Sequence, residues 1–352
     1  MTTPLGRQIE ALIRAEGAIT LARYMAIALM DPVHGYYATR DPFGPQGDFV
    51  TAPEISQMFG ELIGLWAAHA FESGGSPSQV TLAELGPGRG TLMRDALRAI
   101  GQAKPSFREA LSVHLVEASP TLRAVQRASL GDFGACVWHD GIETLPDGPI
   151  IVIANEFFDA LPVRQFVRRE GAWFERLVGL VDDRLGFVSS VAAEVGPGLP
   201  QSADGAILEF SIEGAGIMGS LARRVAREGG ACLIVDYGHL ESGFGDTLQA
   251  VRRHEPVGVF DAPGEADLTA HVDFASLARI ADAEGASVDI LTSQADFLEA
   301  IGIGARAQAL RRGATPDEAE AVTQALARLT DRSPTGMGSL FKVMAIGRQA
   351  SV

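Results

Sequence analysis

In the stretch ELGPGRGTL (84–92), a carboxylate stands two residues ahead of three alternating glycines. Glu84 falls within the apolar run VTLAEL (80–85), and Gly86, Gly88 and Gly90 follow, with Pro87 and Arg89 between them. Glycines let backbone amides approach a ligand closely, and a turn from strand to helix is where open α/β sheets bind nucleotides. The spacing here is G-x-G-x-G, whereas the dinucleotide fingerprint is G-x-G-x-x-G. Glu84 would also repel a pyrophosphate lying over the helix N-terminus. A nucleoside triphosphate fits no better, because the only lysines, Lys104 and Lys342, follow no glycine loop. A carboxylate in this place suits a cationic ligand.

The ends of the next apolar runs carry matching groups. Glu117 closes SVHLVE (112–117), where a carboxylate can accept both hydroxyls of a ribose. Asp140 follows ACVWH (135–139), where it could accept from an adenine amino group. Asn155 and Glu156 follow PIIVIA, beside the place where a transferable group would point. Each alone reads equally well as a solvated carboxylate or a helix cap. In order at successive strand ends, together with the Glu84 turn, they predict S-adenosyl-L-methionine, which carries an ammonium and a sulfonium, as cofactor.

Strands and helices must hold these residues. From Val80 the chain alternates short apolar runs, the fifth being ACLIVDYG (231–238), with helical segments, one of them beginning near Leu92; this implies a parallel sheet covered on both faces. Before it, Leu5, Ile9, Leu12 and Ile13 recur at helical spacing, and Thr20 is placed to cap a second helix. A loop dense in Gly, Pro and aromatics spans 31–49, and Ile55, Met58, Phe59, Leu62, Ile63 and Trp66 predict one long amphipathic helix after Pro53. The segment 164–190 alternates enough for an antiparallel insertion, and 246–274 reads as loop. A strand near 286–291, helices to about 329 and a strand within 338–348 complete the chain.

Composition narrows the class. The 352 residues are 47 % hydrophobic with no run long enough for a membrane span, and the first residues lack the marks of a signal peptide, so membrane insertion is not expected. A bacterial cytoplasm, or the mitochondrial matrix for a processed organellar protein, is the expected compartment. The formal charge of −15 disfavours nucleic acid and suits a basic partner. Seven histidines form no ligand cluster, so no metal is expected, and Cys136 and Cys232 read as buried free thiols.

The chain resembles the MidA-type family of S-adenosylmethionine-dependent methyltransferases, relatives of the mitochondrial complex I assembly arginine methyltransferase. The resemblance runs through GDFVTAPEISQMFGE (47–61), ELGPGRGTLMRDALR (84–98), VEASPTLRAVQ (116–126), ANEFFDALPVRQF (154–166), DTLQAV (246–251), PGEADLTAHVDF (263–274) and SQADFLEAIGI (293–303). One departure, Ala295 where a Gly is expected after Gln294, falls in what reads as a peripheral loop. The resemblance implies a class I methyltransferase fold, a Rossmann-like doubly wound α/β sheet of seven mostly parallel strands. It divides into an N-terminal helical section (1–78), a first core half (79–163), an inserted substrate-side subdomain (164–228) and a second core half (229–352) with a loop insertion at 240–275.

It also implies a protein arginine as acceptor, with a core subunit of respiratory complex I as the kind of target. A carboxylate pair on the guanidinium fork would localise charge on the far nitrogens and leave the near one electron-rich. Glu156 and Asp159 of NEFFDALP are the expected pair; their competing reading is a helix cap and a solvated acid. Glu54, a further catalytic candidate, equally reads as a first-turn acid facing the helix dipole. Asp48 and Thr51 belong to the expected substrate loop, and Phe157, Phe158 and Trp66 read as core or wall. A small-molecule methyltransferase of the same fold, or a non-catalytic assembly factor that binds the cofactor, would carry many of the same features.

Overall fold

The computed structural model describes residues 3–39, 51–190 and 201–349. The apolar runs from Val80 onward become β1 (Val80–Leu85), β2 (Leu111–Val116), β3 (Cys136–His139), β4 (Ile150–Asn155) and β5 (Gly230–His239), followed by β6 (Ala286–Ser293) and β7 (Phe341–Arg348). Their order is β6-β7-β5-β4-β1-β2-β3, and only β7 runs antiparallel to the rest. The order reverses between β1 and β4, so the natural crevice opens beyond the carboxyl ends of these two strands. This is the fold of class I methyltransferases.

Both faces of the sheet are buried, which is why its strands read as unbroken apolar runs. Leu82, Ile151, Ile153, Leu233 and Val343 face one side, with helices Gln57–Ser73 and Thr91–Ala103. Ala83, Ile150, Val152, Ile234 and Met344 face the other, with helices Ile212–Glu228 and Phe274–Ala283. The N-terminal helices, Pro4–Glu16 capped by Thr3 and Leu21–Met30 capped by Thr20, share a third core with the insertion through Leu5, Ile9, Tyr24, Met25, Val178 and Leu268. That insertion is antiparallel as expected: Arg164–Arg169 pairs with Ala172–Val181, which pairs with Arg184–Ser189, and Ile19–Thr20 adds a short edge.

Four local expectations are corrected. The long helix after Pro53 is two: Ala52–Ile55 ends at Ser56, whose backbone is extended and whose hydroxyl caps Gln57–Ser73 by accepting from the Met58 amide at 3.2 Å. The segment 246–274 is not all loop, because Gln249–Arg252 pairs with both Glu255–Val257 and Asp267–Thr269. Its hairpin turns at Arg253 and His254, both left-handed (φ 53° and 63°), a geometry usually announced by Asn or Gly. Ala295 lies in helix Gln294–Ala300, fully buried near Gly338, not in a loop. Cys136 is only partly buried, whereas Cys232 is fully so.

The closest helix packing supports the glycine turn from below. A Cβ on Gly64 would lie 2.6 Å from the Ala96 carbonyl oxygen and 2.7 Å from its Cα, so helices Gln57–Ser73 and Thr91–Ala103 touch backbone to backbone there. Gly64→Val should therefore destabilise the protein by about 1–3 kcal/mol through overpacking. Chemical denaturation checks this, and an unchanged midpoint would mean that the helices do not depend on this approach.

Candidate active site

The glycine turn takes its shape from backbone geometry. Gly86, Gly88 and Gly90 all have positive φ (60°, 52° and 77°), which side-chain-bearing residues rarely adopt. A Cβ on Gly86 would also approach Phe157 to 3.0 Å. The Gly86 amide donates to the Val116 carbonyl at 2.9 Å, and Gly90 caps helix Thr91–Ala103. The turn thus lies over the β1 and β2 ends with its helix N-terminus aimed at the crevice.

A small cleft there is lined by Thr51, Glu54, Glu84, Gly86, Gly88, Asn155 and Glu156, with Arg89 and Thr91 beside them. Seven of the residues singled out in the sequence therefore meet in one place. Glu84 is buried; it accepts from the Met93 amide, while its Oε2 has no partner, and burial pushes its carboxyl up to about 8. The Oδ1 of Asn155 is likewise buried and without a partner. Two unsatisfied acceptors in one cleft call for a donor ligand and reject an anion. They fit an ammonium, and with the three-glycine cradle they are the residues that would hold the amino-acid end of S-adenosylmethionine.

Glu117 lies beside this cleft, not among its lining residues. Its Oε1 accepts from the Ser119 amide at 2.7 Å and its Oε2 from the Gln126 amide group at 3.1 Å, and the Ala118 amide also donates to the carboxylate, which leaves acceptor capacity for a ribose hydroxyl. Burial raises its pKa from the ordinary glutamate value, with these donors pulling the other way. Gln126, which sequence reasoning missed, also donates to the Gly88 carbonyl at 2.8 Å and accepts from the Trp138 indole at 2.8 Å. It ties turn, ribose carboxylate and β3 together; a fully buried glutamine inside an amphipathic helix was its only signal. Asp140 is exposed and bound to Arg123 at 2.5 Å, and Arg123 also donates to the Glu117 carbonyl at 2.6 Å.

Glu54 accepts from the Thr91 hydroxyl at 2.5 Å, so it ties the Thr51–Ile55 segment to the start of the glycine-loop helix. Asp48 lies outside the described residues. Glu156 is partly buried; its Oε1 accepts from the Asn155 side chain at 3.1 Å and the Ala52 amide at 3.4 Å, and burial pushes it up to about 7. Its backbone is left-handed (φ 52°), an uncommon state for glutamate. Asp159 is buried beyond the cleft and raised well above the carboxylate range by burial, then by Asp236 and Asp267. Asp267 accepts from the Tyr37 hydroxyl at 2.8 Å. Asp236 and Asp267 were not singled out in the sequence; Asp236 ends the apolar part of β5 as the other acids end theirs, and that position was the available signal. Among the described residues, no His, Cys, Asp or Glu group is arranged to hold a metal ion.

Residues 62–292 match the model of a family described as "Putative S-adenosyl-L-methionine-dependent methyltransferase". The Drosophila melanogaster protein named "Protein arginine methyltransferase NDUFAF7 homolog, mitochondrial" is 37 % identical over 97 % of this chain and 84 % of its own length. The Homo sapiens protein arginine methyltransferase NDUFAF7, mitochondrial, is 35 % identical over 98 % of this chain and 83 % of its own. A crystal structure from Burkholderia thailandensis, a COG1565 superfamily member and likely methyl transferase bound to S-adenosyl-homocysteine, superposes with a TM-score of 0.84 at 29 % identity, covering 99 % of this chain and 93 % of that one.

The unpartnered Glu84 oxygen generates a test. With the cleft empty, Glu84 is protonated below about pH 8, whereas an ammonium needs the ionised form. Cofactor affinity should therefore rise with pH up to about 8, and binding at pH 7 should release a proton. Glu84→Gln should weaken binding by about 1.5–3 kcal/mol, roughly 10- to 150-fold, and Glu117→Ala by about 1–3 kcal/mol. Calorimetry in buffers of different ionisation enthalpy reads both; unchanged affinity in Glu84→Gln removes the ammonium assignment.

Proposed function

Because this chain belongs to the family of S-adenosylmethionine-dependent methyltransferases and uses that cofactor, we propose that it methylates an arginine side chain of a protein, a core subunit of respiratory complex I being the target. The observation that carries this reading is the set of carboxylates Glu156, Asp159 and Asp236, Glu156 lining the cofactor cleft and the other two buried beside it. Such a site is costly to keep empty and selects a cationic guest able to donate several hydrogen bonds. A guanidinium, with five N–H donors in a planar fork, meets that demand. The names of the relatives and the formal charge of −15 support a basic acceptor carried on a protein.

When bound, the cofactor supplies an electrophilic methyl group on a sulfonium sulfur. The chain's own residues do the rest. Glu156, at the cleft edge, and Asp159, deeper, grip the fork, hold the reacting nitrogen in line and localise positive charge away from it. The methylated guanidinium remains a cation, so one proton must leave. Glu156, set to about 7 by burial, is matched to accept it at neutral pH. The Thr51–Ile55 segment, held by Glu54 to Thr91 and by Ala52 to Glu156, closes one wall against water.

Transfer should rise with pH through about 7, as Glu156 loses its proton, and then level off. Glu156→Gln should remove this rise and lower the rate by about 2–4 kcal/mol, roughly 30- to 1000-fold, with cofactor affinity largely kept. Asp159→Asn should act in the same direction, less strongly. The assay is arginine methylation of a co-expressed complex I core subunit, read by mass spectrometry. Labelled cofactor in a cell lysate separates the alternatives: a labelled protein band supports this reading, while label only in small molecules, or none, rejects it. Wild-type transfer by Glu156→Gln would move the acceptor carboxylates elsewhere.

A further inference from the structure

We propose that Asp236, which is fully buried and not part of the cleft lining, is the positioning residue of the transfer step: its carboxylate builds the turn that presents Glu156 and Asp159. This rests on the acceptor reading above. The geometry is an anion nest formed by the chain itself. The amides of Phe157, Phe158 and Asp159 all converge on Oδ2 of Asp236, at 3.1, 2.8 and 3.3 Å, and the Tyr237 amide donates to Oδ1 at 2.9 Å. Ahead of them, the Glu156 amide donates to the Val235 carbonyl at 2.9 Å. Four successive amides, from Glu156 to Asp159, thus bind the turn after β4 to β5. A left-handed glutamate persists only where its surroundings over-determine it, and this clamp does so at Glu156.

The same carboxylate acts through its charge. Glu156 and Asp159 face it from the turn, Asp267 lies beside Asp159, and Tyr237 adjoins it on β5, with Arg328 acting on Glu156 and Tyr237. Across the sheet its register partner is Lys342, whose ammonium is occupied by the carbonyls of Ser339 and Leu340. Burial and Glu156 raise Asp236, whereas its amide donors favour the ionised form. The four amide donors offset part of that rise and fix the carboxyl in one orientation. Asp236 in turn raises Asp159.

The test is Asp236→Asn, which keeps the shape, loses the charge and turns an amide group towards converging N–H donors. Cofactor affinity should stay within about threefold of wild type and acceptor KM should change little. A misplacement of about 1 Å costs on the order of 100-fold, so kcat should fall by that factor. The loss should fall on kcat alone, with the rising limb, set by Glu156, left near pH 7. Wild-type kcat in the variant, or a fall in kcat matched by lost cofactor affinity or a raised acceptor KM, overturns the proposal; the second result means a structural role only. A fold-independent check uses the wild-type protein. By NMR, the Phe158 amide should be strongly protected from exchange and shifted downfield, and ordinary exchange there would equally overturn it. If wild-type protein methylates no arginine while that amide is protected, the acceptor reading fails and the clamp stands.

Discussion

Burying a carboxylate without a cationic partner is among the most expensive things a fold can do, and this one does it repeatedly at one end of one sheet. Glu84, Glu156, Asp159 and Asp236 all lie at or beside the carboxyl ends of β1, β4 and β5. The parallel arrangement makes this possible: strands running one way end together, and the order reversal between β1 and β4 leaves a crevice there instead of a packed helix. Peptide dipoles do the neutralising that side chains do not, through the Met93 amide on Glu84 and four amides on Asp236.

The two ends of the acidic cluster are tuned differently. At Glu84 and Asn155, acceptor atoms are left unpartnered inside a glycine cradle, so their cost is relieved only by a ligand that donates. At Asp236 the carboxylate is fully occupied by backbone and can take no ligand; its influence passes through the turn it holds. Glu156 sits between, partly satisfied by Asn155 and Ala52 and still open to the cleft. A cationic donor and a cationic acceptor can thus approach from two sides of one residue. That is the arrangement a methyl transfer between two cations requires, because their mutual repulsion must be offset where they meet.

Much of this was legible in the sequence because the sheet is buried on both faces. Unbroken apolar runs marked β1 to β5, and the polar residue ending each run marked the crevice. Glu84, Asn155 and Glu156 were readable in this way, and so was the left-handed glycine turn. Asp236 ends its run by the same rule, yet a lone acid before Tyr237 gives no sign that three amides from another loop converge on it. Gln126 and Asp267 were hidden for the same reason: their partners, Gly88, Trp138 and Tyr37, are distant in the chain. The break at Ser56 and the hairpin at Arg253–His254 were missed because tertiary packing overrode local preference.

Asp140 shows where strand-end logic reaches its limit. It has the position expected of an adenine contact, but its side chain is spent on Arg123, and Arg123 in turn holds the Glu117 carbonyl. The ion pair is exposed on the Asp140 side, so its own contribution to stability is small. Its effect is geometric: it ties the ends of β2 and β3 together, across the strands that Gln126 ties from within through Trp138 and Glu117. The nucleoside side of the crevice is therefore held by hydrogen bonds between neighbouring strand ends, with acceptors already in place. The opposite side, from Glu156 to Asp236, is held by backbone amides converging on one buried carboxylate. Preformed hydrogen bonds thus fix one side of the crevice, and buried, mutually repelling acids mark the other.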